Sequence, residues 1–246
     1  MIYLILVGST KKEHDMNINK TLLTLAITLP MTFNALAGQA EIDTIEQAAG
    51  TLNISALETI AQEVSGYDKA LAYYRLGLSE NLSGQTEPAI VAIDQAIELL
   101  EQLNSNSVDD VEIKALLAQV YGYKIALEPL KGMYYGPKSN EVLAQANALD
   151  PNNPRVQLVT GISKFSTPAI FGGDSKEAYQ AFDKAITAFS TDSNSNYHWG
   201  FAEAYTWRGL TYSKAGEQEK AKQDWQLALN VNPEYNWAKI LLEQNQ

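Results

Sequence analysis

Few residues in this chain could carry acid–base, metal or nucleophile chemistry. Cysteine is absent and only two histidines occur, His14 and His198. That removes disulfides, thiolate zinc sites, iron–sulfur clusters and cysteine nucleophiles, and it leaves no histidine-rich metal site. A Ser-His-Asp triad would have to be built on one of two widely separated histidines. There is no nucleophile motif, no phosphate loop and no carboxylate pair at a useful spacing. Asp109-Asp110 ahead of Glu112 reads as a helix start whose negative charge suits the macrodipole. The expectation is a chain without catalytic residues, cofactor or metal. What remains suits recognition. Gly172-Gly173-Asp174 follows Pro168 and could cradle an anion at a helix start, but the Asp174 carboxylate would repel it. Asp174 with Glu177 reads instead as a capping box, in a loop expected to fold Ile170 and Phe171 onto the body. Tyr121-Gly122-Tyr123 and Met133-Tyr134-Tyr135-Gly136-Pro137 place large side chains beside glycines, as a pocket wall or as an apolar plug under a lengthened hairpin. His198, in Tyr197-His198-Trp199-Gly200, is expected as a packed or exposed residue at a helix start.

The elements that hold these residues are helices. Gly and Pro number only 15 and 8 in 246 residues, while Ala occurs 30 times, a composition that favours helix over sandwich or barrel. The 18 Lys+Arg against 29 Asp+Glu give a net charge of −11, which disfavours phosphate backbones and anionic membrane surfaces. No nucleic-acid partner is therefore expected.

A repeat is visible. Between Ala202 and Tyr235, residues Tyr205, Gly209, Tyr212, Gly216, Ala221, Trp225, Ala228 and Pro233 recur at the spacing of two antiparallel helices. Small residues sit where the helices cross, large ones fill the gaps, Gly216 makes the turn and Pro233 ends the second helix. The segment resembles the tetratricopeptide (TPR) repeat, departing only at Arg208 where Leu is usual. A second unit fits residues 70–103, through Tyr73, Leu76, Gly77, Gly84, Ala89, Ile93 and Ala96. Two interrupted units fit 111–152 and 154–190, with extra residues around Pro129–Pro137 and within Ser166–Asp174. Helices at Ile42–Gly50 and Ser55–Ser65 precede them, and a capping helix over 235–244 closes the stack. The predicted fold is all-α, a TPR-type superhelical solenoid of about four repeats plus flanking helices, in one domain over 38–246. Asn153-Pro154-Arg155, Thr167-Pro168, Phe171-Gly172-Gly173 and Trp199-Gly200 also resemble a signature of exported bacterial TPR proteins without an established activity. A looser likeness is to TPR subunits of periplasmic solute transporters.

Residues 1–37 read as something other than fold. Met16 to Ala37 has a short basic start at Lys20, an apolar run from Leu22 to Phe33 and an Ala35-Leu36-Ala37 cleavage site. Translation is expected to start at Met16 and cleavage to follow Ala37, leaving Gly38 first; residues 1–15 are an upstream extension. The charged break at Lys11–Asp15 argues against a membrane anchor. The mature protein is expected in a Gram-negative periplasm or outside the cell, without stable membrane insertion.

TPR stacks bind through the concave face lined by the first helix of each repeat. Carrying the family's groove positions over by resemblance gives Tyr74, Asn81, Gln119, Tyr123, Arg155, Phe165, Thr206 and Lys214, to which the long turns add Tyr135 and Phe171. This surface suits an apolar peptide segment or helix. The expected function is a non-enzymatic adaptor for a protein or peptide partner. The alternative is a transport-linked binder of a small amphipathic ligand, in an enclosed pocket near Tyr123, Tyr135, Phe165 and Phe171.

Overall fold

The structure, a computed structural model, describes residues 38–192 and 197–245, so the leader expected over 1–37 lies outside the described residues. The described part is helical throughout: α1 (Gln39–Gly50), α2 (Ile54–Glu63), α3 (Gly66–Leu82), α4 (Thr86–Asn106), α5 (Val111–Leu127), α6 (Gly132–Leu149), α7 (Pro154–Ser166), α8 (Ser175–Phe189), α9 (Phe201–Lys214), α10 (Gln218–Val231) and α11 (Asn236–Gln244). Each of α3/α4, α5/α6, α7/α8 and α9/α10 is an antiparallel hairpin. The first helices of successive hairpins also touch, α3 on α5, α5 on α7 and α7 on α9. The second helix of one hairpin packs on the first of the next, as α4 on α5 and α8 on α9. These are the contacts of a solenoid.

Local chemistry sets the helix starts. Asn53, Asp110, Asn153 and Asp174 each accept backbone N–H groups of the first turn they precede, satisfying donors that a helix cannot pair internally. The capping box at Asp174 is made by half. Its Oδ1 accepts from Lys176 N at 2.7 Å and Glu177 N at 2.9 Å. The Glu177 side chain does not reach back, because Asp174 N already donates to Lys164 O at 3.0 Å and Glu177 pairs with Lys164 Nζ at 2.6 Å.

Small residues at the crossings let the helices close. A Cβ on Gly161 of α7 would stand 2.5 Å from the Phe182 ring of α8, and one on Gly209 of α9 would stand 2.5 Å from Trp225 of α10. The main core runs from Ile42 and Ile45 through Leu71, Ile93, Leu116 and Val156 to Phe182 and Ala204, and a smaller one forms around Trp225 and Ala238.

Two expectations about the long turns are corrected. The extra residues around Pro129–Pro137 are mostly not a loop. A single 3-10 turn, Pro129–Lys131, leads directly into α6, which carries Pro137 inside it. A proline there removes one N–H, toward the Met133 carbonyl, close enough to an exposed helix start for water to replace the bond. The Ser166–Asp174 turn does not fold Ile170 and Phe171 onto the stack; they are 85% and 74% exposed. The turn closes on its own backbone. Phe171 N and Gly173 N both donate to Pro168 O, at 2.8 and 3.2 Å, and Gly172 takes a left-handed φ of 97°. A turn closed in this way points its side chains outward. Leu130 and Met133 are likewise 98% and 94% exposed.

Candidate partner-binding face

The inner face of the solenoid divides into a filled floor and an open lip. The floor is polar and buried. Arg75 of α3 donates from Nε to Glu46 Oε1 of α1 at 2.6 Å and from Nη1 to Glu203 Oε2 of α9 at 2.9 Å. Gln119 of α5 donates from Nε2 to Tyr74 OH at 2.5 Å and to Glu203 Oε1 at 2.9 Å. Helices α1, α3, α5 and α9 thus meet on one charge network, and α1 lies over it. Burial, with Glu203 adding to it, pushes the Tyr74 hydroxyl well above its ordinary pKa, so it stays protonated.

A second buried network lies beside it. Arg155, wholly inaccessible, donates from Nε to Glu112 Oε2 at 2.6 Å and from Nη1 to Asp192 Oδ2 at 2.7 Å. Asn153 caps α7 with its oxygen and donates Nδ2 to Glu112 Oε1 at 2.6 Å. Pro154, at the first helical position, needs no N–H partner there. The Asn-Pro-Arg motif therefore pins α7 to α5. His198 stands apart from chemistry of its own. Its backbone N donates to Gln39 Oε1 at 2.7 Å and its carbonyl accepts from Gln39 Nε2 at 3.1 Å, while Nε2 lies 3.8 Å from Asp192 Oδ2.

The structure accordingly sorts the groove positions. Tyr74, Gln119, Arg155 and Thr206 are buried. Thr206 spends its hydroxyl on the Ala202 carbonyl of its own helix, at 2.9 Å. Asn81, Tyr123, Tyr135 and Phe165 are half-exposed, and Phe171 and Lys214 exposed. On each of α3, α5, α7 and α9 the buried position precedes the more exposed one: Tyr74 before Asn81, Gln119 before Tyr123, Arg155 before Phe165 and Thr206 before Lys214.

Two pairs of lip residues are brought together. Asn81 Nδ2 donates to Tyr123 OH at 3.0 Å, with the Tyr123 ring edge-on to Tyr74 at 6.0 Å between centroids. Lys214 Nζ stands 4.7 Å above the Phe165 ring, which meets Trp207 at 5.5 Å, and Trp207 meets Trp237 at 5.2 Å. Tyr135 is elsewhere, against Tyr121 at 5.3 Å and Tyr134 at 4.8 Å. Two open clefts, of about 840 and 440 Å3, contain none of Tyr123, Tyr135, Phe165 and Phe171. The first lies along Asp150–Pro154 and the end of α8, and the second between the start of α8 and the end of α9, where Lys214 is part of its wall.

Sequence reasoning missed Trp207 and Trp237 as lip residues and Arg208 as a clamp. Arg208 holds both Asp224 oxygens, from Nε and Nη2, each at 2.8 Å, and reaches Asp183 at 2.9 Å. A cation at a position usually taken by Leu was the available signal, since a half-buried guanidinium requires acids nearby. Among the described residues no group of three or more His, Asp or Glu is placed to hold a metal, and no helix is long and apolar enough to cross a membrane.

Comparison with known proteins agrees with this geometry. Residues 202–235 match the family model described as tetratricopeptide repeat. No curated protein matches the chain. Among solved structures, a thermophilic TPR protein of Thermus thermophilus is 18% identical, with 84% of this chain and 97% of that one covered at a TM-score of 0.51. The HusA haemophore of Porphyromonas gingivalis is 22% identical, with 72% and 90% covered at a TM-score of 0.51. At these identities the likeness is one of fold. With four stacked hairpins, a matching C-terminal unit and these neighbours, the fold is an all-α solenoid of the tetratricopeptide-repeat type.

Proposed function

We propose that the chain is a non-enzymatic, exported adaptor that binds a protein or peptide partner along the lip of its solenoid. The observation that carries this reading is the exposure of large apolar side chains on the two long turns. Leu130, Met133, Ile170 and Phe171 stand in water on or beside short 3-10 turns. Both turns join the first helix of a hairpin to the second, at the ends of α5 and α7 toward which the half-exposed Tyr123 and Phe165 also lie. Large apolar side chains exposed together on a turn suit an interaction site, and the half-exposed aromatics Tyr123, Phe165 and Trp207 are of residue types enriched in interfaces. With its floor filled, the concave face offers its margin for binding, where the family's usual mode would use its centre.

Site-specific photo-crosslinking in the exporting cell tests this. A photoreactive phenylalanine at 130 or 171 is expected to yield protein adducts, and the same group at Val91, an exposed position on α4, is expected to yield none. Equal adducts at 91, or none at 130 and 171, overturn the reading. An absence of adducts joined to a change of Trp207 and Trp237 fluorescence on adding haem would replace the protein partner with a small amphipathic ligand.

A further inference from the structure

The nitrogen of Gly38 sits in a setting that a peptide amide does not satisfy. Gly38 is the N-cap of α1, and its N–H donates to Asp68 Oδ2 at 3.1 Å. Asp68, in the first turn of α3, is 5% exposed, and its other oxygen, Oδ1, is buried with no hydrogen-bond partner. A second acid converges on the same residue. Glu41, in the first turn of α1, turns its carboxylate back so closely that a Cβ on Gly38 would stand 2.9 Å from Glu41 Cδ. Any side chain at 38 would have to push that carboxylate aside. Neither Asp68 nor Glu41 forms an ion pair among the described residues. Asp68 thus has a single neutral donor, with the exposed Glu41 carboxylate close by, and a buried acid left half-satisfied is costly.

We propose that Asp68 is the receptor for a free α-ammonium group on Gly38, created when the Ala37–Gly38 bond is cut, so that processing installs the counter-ion the site lacks. The step is hydrolysis by a leader peptidase. Water adds across the amide, Ala37 leaves with a new carboxylate, and Gly38 keeps its nitrogen as an amine that takes up a proton. In place of one N–H the nitrogen then has three, with a full positive charge. One continues to Asp68 Oδ2, a second can serve the orphaned Oδ1, and a third faces Glu41. Burial pushes the Asp68 carboxyl up to about 6 while its partner is an amide; a cation at the same place draws it down. Release from the leader would then lock the start of α1 onto α3.

The inference rests on the export reading above and is tested apart from it. Mass spectrometry of protein recovered from the exporting cell is expected to find Gly38 first, and any other start overturns the proposal. On that protein, labelling of the α-amine at pH 7 is expected to run about tenfold slower than in Asp68→Asn, because one pKa unit is tenfold in free amine. Equal rates with Gly38 first overturn the ion pair and leave export standing. Should Asp68→Asn fail to fold, an NMR titration of Gly38 in the unaltered protein decides. A value above the ordinary range of about 7.7–8.0 supports the pair, and a value within or below it overturns it. A mature chain carrying one extra Ala before Gly38 should label at the ordinary rate.

Discussion

Arg155 shows how a conspicuous residue can be structural. Its guanidinium is inaccessible and held between Glu112 and Asp192. Removing it takes the positive charge away from the buried Glu112 carboxylate, so Arg155→Met should cost about 3–5 kcal/mol in urea unfolding, with a smaller loss when Glu112→Gln is added, since breaking a buried pair costs more than removing it whole. Gly161 carries a second prediction at this scale. Gly161→Ala drives a methyl into Phe182 and should destabilise by about 1–3 kcal/mol, the usual cost of overpacking. Asp68 carries a third, on pH. With a peptide bond still preceding Gly38, burial lifts its pKa from 3.8 to about 6, its bond from Gly38 N opposing and Glu41 adding. The folded state then binds this proton more tightly than the unfolded one, so its contribution is most favourable below the unfolded pKa and is lost as pH rises through about 6. Urea midpoints of such an extended chain should therefore fall, relative to its Asp68→Asn variant, between about pH 4 and pH 7; a constant difference would contradict this.

Elements show the same economy. The two long turns depart from simple hairpins, and both are shaped by proline and backbone hydrogen bonds rather than by the core. Replacing Leu130, Met133, Ile170 and Phe171 together by Ser should leave the thermal midpoint nearly unchanged, because exposed side chains contribute little to folding, while abolishing capture of the partner that the crosslinks identify. Gly122, in the last turns of α5, has open space where a Cβ would be. Gly122→Ala should stabilise α5 by about 0.5–1 kcal/mol, as alanine loses less backbone entropy than glycine in a helix, in contrast to the loss at Gly161.

At the scale of the whole molecule, early and late helices meet. A linear solenoid touches only neighbours and unfolds repeat by repeat. Here Arg75 joins α1 to α9, Gln39 grips the His198 backbone, and Asn232 lies beside Gly50. Such cross-links make unfolding more cooperative than repeat count alone implies. Arg75→Ala should lower the urea m-value, which scales with the surface exposed in one step, and let amides of α9–α11 exchange ahead of those in α3–α5. An unchanged m-value would mean the network is not the coupling.

The sequence by itself determined the fold class. Small residues at helix crossings, such as Gly77, Gly161 and Gly209 with Ala221 and Ala228, are dictated by local packing geometry, and their spacing is written in the chain. So are the caps at Asp110, Asn153 and Asp174, each decided within three residues. Which face would be open was not written there. Groove positions count along one helix, whereas the floor was closed by α1, whose Glu46 stands 29 residues from Arg75, and by Glu203, 128 residues from it. Tyr74, Gln119, Arg155 and Thr206 come from the same repeat pattern as Asn81, Tyr123, Phe165 and Lys214, yet the fold buries the first set and leaves the second partly or fully exposed. Likewise Ile170 and Phe171 read as core until the turn's own hydrogen bonds faced them outward. Periodicity reports which residues share a helix face; only the curvature and closure of the stack decide whether that face meets protein or water.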